Sequence, residues 1–175
     1  PANDAVLQTQ NSAPSFFLEG GTNAQGMALP GNIRVTQTGD DDFIGFALGI
    51  DTGDANSASA DFILIDWKQG NQPGHCSGLG AVGLAISRVT DTTGGECPFW
   101  RHNNGVSEIA RATTLGSTGW NDNQEYEFDL QFTSGVIEVS VDGAVELSIT
   151  AAQAGVTSFN NGAFAFYNYS QSNVF

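Results

Sequence analysis

Three consecutive carboxylates, Asp40, Asp41 and Asp42, stand just before an apolar run that begins at Phe43. Adjacent like charges repel, so such a triplet needs water, a cation or both around it. Calcium takes six to eight hard oxygens at roughly 2.3–2.6 Å, loop carbonyls among them. In an extended chain Asp40 and Asp42 point one way and Asp41 the other. The oxygen-rich stretch further on, with Asp51, Asp54 and Asp61, could complete the ligand set. Its run Asp51-Thr52-Gly53-Asp54-Ala55-Asn56 lacks the spacing and closing Glu of an EF-hand loop. On residue types alone, a calcium site and a solvated acidic turn both stand.

A second group of residues suggests ligand binding. Asp66 interrupts an otherwise apolar run, Phe62-Ile63-Leu64-Ile65, just before Trp67. An exposed strand end would account for it, and so would a calcium or glycan contact near a loop mouth. Trp100, Arg101, His102, Asn103 and Asn104 follow one another in a polar stretch. Rings that stack on pyranose faces beside amides that bond hydroxyls would make a sugar platform. The plainer alternative buries Trp100 and leaves His102 on the surface. Cys76 and Cys97 are the only cysteines. They form one bridge in an oxidising compartment, worth roughly 3 kcal/mol for a loop of about 22 residues, or else two separate buried thiols. His75 beside Cys76 does not suit a shared metal, since adjacent residues cannot easily reach one ion.

Composition sets the outer bounds. The chain has 175 residues, 19 acidic against 5 Lys and Arg, for a net charge of −14. That balance speaks against nucleic acid, whose backbone needs clustered cations, and against anionic membrane surfaces. No apolar run approaches the ~20 residues of a membrane-spanning helix. Twelve Phe and 40% apolar residues give a chain this long enough material for one packed domain over 1–175.

The elements that must position these residues are strands. Residues 125–132 alternate strictly, with Tyr126, Phe128, Leu130 and Phe132 on one face and Glu125, Glu127 and Asp129 on the other. Two alternating runs flank Asp142-Gly143, a strong type I′ hairpin signal. Further strands are expected over 42–50, 61–67, 82–89 and 163–169, with shorter ones over 16–18, 32–38 and 107–113. Only 150–154 leans helical. About ten short strands separated by Gly, Asn and Asp turns predict an all-β, antiparallel, two-sheet jelly-roll sandwich. Its long loops, over 51–60, 68–80 and 91–105, are where binding is expected.

Several of these segments together resemble the thrombospondin C-terminal domain. The run from Val35 through Asp40-Asp41-Asp42-Phe43-Ile44-Gly45-Phe46 to Gly49 carries the resemblance, as does Asp61 to Trp67-Lys68-Gln69. Gly83 to Arg88, Phe99 to His102, Gly119-Trp120 and Gly162 to Gln171 follow in the same order, and the start from Asp4 to Asn11 is similar to small secreted bacterial proteins built on that module. The resemblance implies a concanavalin A-like jelly roll, extracellular placement, bound calcium (Ca2+) and adhesion through a glycan or a protein, with no catalysis. A subunit that self-associates into a sheath, matrix or surface filament is the first alternative. A glycosidase of the laminarinase or agarase jelly-roll class is the second. The second needs two carboxylates about 5–5.5 Å apart for retaining chemistry, and Glu125, Glu127 and Asp129 lie in the wrong order on a wet face.

Overall fold

The computed structural model describes residues 5–18 and 23–175; Asp4, at the head of the N-terminal match, lies outside them. Twelve strands follow in order: β1 (Ser15–Leu18), β2 (Ala28–Arg34), β3 (Phe43–Ile50), β4 (Phe62–Lys68), β5 (Gln72–Pro73), β6 (Leu79–Gly80), β7 (Gly83–Val89), β8 (Val106–Arg111), β9 (Glu125–Phe132), β10 (Val136–Val141), β11 (Ala144–Thr150) and β12 (Ala163–Tyr169). Six of them form one sheet in the order β1-β12-β3-β4-β7-β8, and four form a second in the order β11-β10-β9-β2. All pairings are antiparallel. No helix among the described residues is long and apolar enough to cross a membrane.

The alternation of β9 does what its pattern predicts. Tyr126, Phe128, Leu130 and Phe132 are buried between the sheets, against Ile44, Phe46, Leu48 and Trp67 of the larger one. The β10–β11 hairpin turns at Asp142 (φ 49°) and Gly143 (φ 79°), both left-handed as a type I′ turn requires.

Every residue of β3 and β4 is buried, so the middle of the six-stranded sheet is covered on both faces. Its outer face carries a second core of Phe43, Leu64, Val89, Tyr167 and Tyr169. The cover is a short helix, α1 (Cys97–Arg101), with Phe99 and Trp100 pointing into that core. Sequence reading expects only loop there: a five-residue helix has no amphipathic period to recognise. A proline at its first turn, where the missing N–H costs nothing, is the one local signal. Two further expectations shift. β2 occupies 28–34 instead of 32–38, and 150–154 forms a single turn closed by the Ala154 N–H on the Thr150 carbonyl (3.2 Å).

Candidate functional site

One acidic and one basic side chain of β4, Asp66 and Lys68, point into the outer core and are fully buried. Asp66 is 0% exposed, not the solvent-facing strand end that its position suggests. It accepts a hydrogen bond from His102 Nε2 at 2.9 Å, while His102 Nδ1 donates to Glu108 at 3.1 Å. With a carboxylate on each nitrogen, both nitrogens must carry protons, so the ring is an imidazolium. Burial alone pushes the His102 pKa down. The charge and hydrogen bond of Asp66, with those of Glu108, overcome burial and raise it to about 10. Burial likewise pushes Glu108 up, and His102 and Arg111 together override it and hold Glu108 below the usual carboxylate range. Since unfolded His titrates near 6.5, this triad stabilises fully below that pH and loses its contribution as pH rises through about 10. His102 is therefore a bolt between α1 and the sheet, not a surface residue.

Lys68 is the second buried charge. Its ammonium lies within 3.2 Å of four acceptors: the Asp41 carbonyl and carboxylate, the Asp42 carboxylate and the Gln72 amide oxygen. It also sits 4.8 Å from the Trp100 ring centroid and 5.4 Å from that of Phe43. The triplet precedes β3 instead of lying in it, so strict alternation fails and Asp41 and Asp42 converge on the same cation. Asp40 faces elsewhere, accepting from the Asn11 side chain at 3.0 Å. Partial burial, then Asp42 and Asp41, raise its pKa to about 6. Asp122, not singled out from the sequence, joins this end through Gln69, whose side-chain amide donates to the Asp122 carboxylate at 3.2 Å and whose backbone N–H donates to the Asp41 carbonyl at 3.3 Å.

The six carboxylates expected to share one ion are divided by β3. Asp40, Asp41 and Asp42 lie at its start and Asp51, Asp54 and Asp61 beyond its end. Eight strand residues hold the groups roughly 25 Å apart. At the far end Asp54 accepts from the Asp51 N–H at 2.9 Å, and Asp61 takes a bidentate pair from Arg88 at 2.7 and 3.0 Å. One ion cannot use both groups. Among the described residues, the only trio of His, Cys, Asp or Glu with ligand atoms within 4.8 Å of one another is His75, Cys76 and Glu96. Cys76 is bridged to Cys97, so its sulfur is no thiolate ligand. For calcium, the donor set at the start of β3 fits in kind: hard oxygens short of positive charge, with Asp40 and Asp41 still able to accept.

The residues of the expected sugar platform are dispersed. Trp100 is buried between Phe43, His75 and Tyr169, so its faces are taken. Arg101, His102 and Asn103 are partly covered, and Asn104 alone is open. The disulfide clips α1 to the 3-10 turn at His75–Ser77. Asn168, in an Asn-Tyr-Ser sequence, is buried with its amide on the Gln171 carbonyl (2.7 Å), closed to glycosylation in the folded state.

Solved structures that share this architecture include a binding module and an enzyme. The carbohydrate-binding module CBM66 from Bacillus subtilis matches with a TM-score of 0.64 at 11% identity, over 94% of this chain and 82% of its own. The glycoside hydrolase family 16 endo-glucanase from Bacteroides ovatus matches with a TM-score of 0.51 at 11% identity, over 89% of this chain and 59% of its own. Identities this low carry the fold alone, and the fold serves both a binding module and an enzyme. Among curated proteins, Thrombospondin-3b of Danio rerio is 26% identical over 181 residues, covering 97% of this chain and 19% of the relative. This chain thus spans about a fifth of that protein's length. The family model described as the thrombospondin C-terminal region matches residues 2–175. With that match running over nearly the whole chain, the chain belongs to the thrombospondin C-terminal family.

Proposed function

We propose that the protein is an extracellular, non-catalytic adhesion module that binds a glycan or a protein through loops ordered by calcium at the start of β3. One observation carries this reading: Asp40 holds its proton up to about pH 6 because burial and two neighbouring aspartates leave it short of positive charge. Lys68 neutralises the inner side of the triplet only. A calcium ion held by Asp40 and Asp41, with Asp122 close by, would supply the missing charge and fix the 36–42 and 69–72 loops against each other. Its role would be structural. The disulfide supports an oxidising, extracellular setting.

The non-catalytic part of the reading rests on where the acids lie. Asp66, on a central strand, is locked to His102 and covered by α1. Glu125 and Glu127 stand exposed on the outside of the smaller sheet. The test is thermal unfolding in EDTA and again with added calcium. A ligand bound by the native state alone raises the midpoint, and an unchanged midpoint discards the calcium. A glycan array in calcium then separates ligand classes, silence across it favouring a protein. Sedimentation with and without calcium decides against a self-assembling subunit if the protein stays a monomer at all concentrations.

A further inference from the structure

The turn at His75–Ser77 and the head of α1 bring together two sulfurs, an imidazole and a carboxylate. His75, Cys76 and Glu96 each place a ligand atom within 4.8 Å of the others, and Cys97 is joined to Cys76 by the bridge. Adjacent side chains point apart in an extended chain, but this stretch is wound. Gly74 has φ 97°, and Cys76 and Ser77 are left-handed at 52° and 55°. His75 and Cys76 therefore both reach Glu96. Two consecutive non-glycine residues in that backbone region are uncommon, and such outliers gather at functional sites.

The spacing suits a tetrahedral metal ion. Two ligands roughly 2.0–2.1 Å from a tetrahedral zinc lie about 3.3 Å apart, and His75 Nε2 stands 3.4 Å from Glu96 Oε1. Two thiolates about 2.3 Å from the same ion lie about 3.8 Å apart, a separation that rotation of the two cysteine side chains supplies once the bridge is cut. The imidazole is already aimed. Its ring packs edge-on against Trp100, with 4.8 Å between centroids, and the Tyr169 hydroxyl lies 3.0 Å from Nε2. That hydroxyl is the partner a metal would displace. The His75 and Glu96 side chains are 43% and 41% exposed, so an ion and a reductant have access.

We propose that reduction of the Cys76–Cys97 bridge opens a zinc site made of Cys76, Cys97, His75 and Glu96, in which the ion replaces the bridge as the clip between α1 and the 75–77 turn. The bridge takes two electrons and two protons from a dithiol, which leaves as its own disulfide. Zinc then displaces both thiol protons, and the imidazole and carboxylate complete a closed four-coordinate shell. Two thiolates and an imidazole select against calcium, which takes oxygen ligands. The site is therefore independent of the calcium reading.

The test is a zinc titration of the intact protein, oxidised and phosphine-reduced, with calcium in excess to compete for carboxylate sites. A chromogenic chelator competing for the metal should report one zinc per reduced chain, held at least tenfold more tightly than by the oxidised chain. Cobalt in place of zinc should give a thiolate-to-cobalt charge-transfer band in the reduced protein alone. Zinc should also slow hydrogen exchange across 97–105 of the reduced protein towards the oxidised rate. His75→Ala and Glu96→Gln, both at exposed side chains, should each weaken zinc binding at least tenfold. Four results would each overturn the proposal: no stoichiometric zinc on the reduced chain, equal affinity in the oxidised chain, affinity unchanged in either folded variant, or a reduced chain that stays unfolded with zinc present.

Discussion

The two ends of β3 each carry three aspartates, yet they solve the same electrostatic problem differently. At the far end Asp54 is answered by a backbone N–H and Asp61 by Nε and Nη2 of Arg88, while Asp51 stands exposed to water. At the near end one buried lysine answers two carboxylates, and Asp40 is left with the Asn11 amide. Counting acids therefore does not find a cation site. What matters is which acids lack a partner after the fold has assigned them.

The largest effect that would break this contrast is loss of the buried cation. Lys68→Met leaves Asp42 buried and uncompensated, which should cost roughly 3–5 kcal/mol in denaturant unfolding. Arg88→Met at the other end, where both partners keep about a quarter to a third of their side-chain surface in water, should cost about 1 kcal/mol or less. Similar losses at both ends would erase the distinction. Reduction of Cys76–Cys97 should cost about 3 kcal/mol and raise hydrogen exchange across 97–105 before the sheets open.

A smaller effect sharpens the contrast. The folded pKa of Asp40, about 6, lies above its ordinary 3.8. The native state therefore binds that proton first, and stability without calcium gains from Asp40 as pH falls from 7 towards 4, levelling below 4. Asp40→Asn should remove this gain, a difference of less than about 1 kcal/mol because Asp40 is only partly buried and water screens its charge in part. The comparison of wild type with variant isolates it from Glu108 and Glu146, whose lowered values act in the opposite sense.

Local pattern made much of the fold legible. Alternation located β9, and Asp142-Gly143 located its neighbouring hairpin, because period and turn chemistry act over a few residues. The site was less legible because its pairings are distant. Asp66 meets His102 across 36 positions and Lys68 meets Asp41 across 27, and no local rule links them. α1 was hidden for a related reason: its stability comes from the disulfide and from packing of Phe99 and Trp100, not from helical propensity. The division of the aspartates was within reach, since an eight-residue strand has a known length. Residue type alone suggested one shared site, and strand geometry forbids it.

The most direct measurement is an anomalous difference map from crystals soaked in calcium at neutral pH. The account predicts a peak beside Asp40 and Asp41 and none at Asp51, Asp54 and Asp61. No peak at the start of β3, or a stronger one beyond its end, would contradict it.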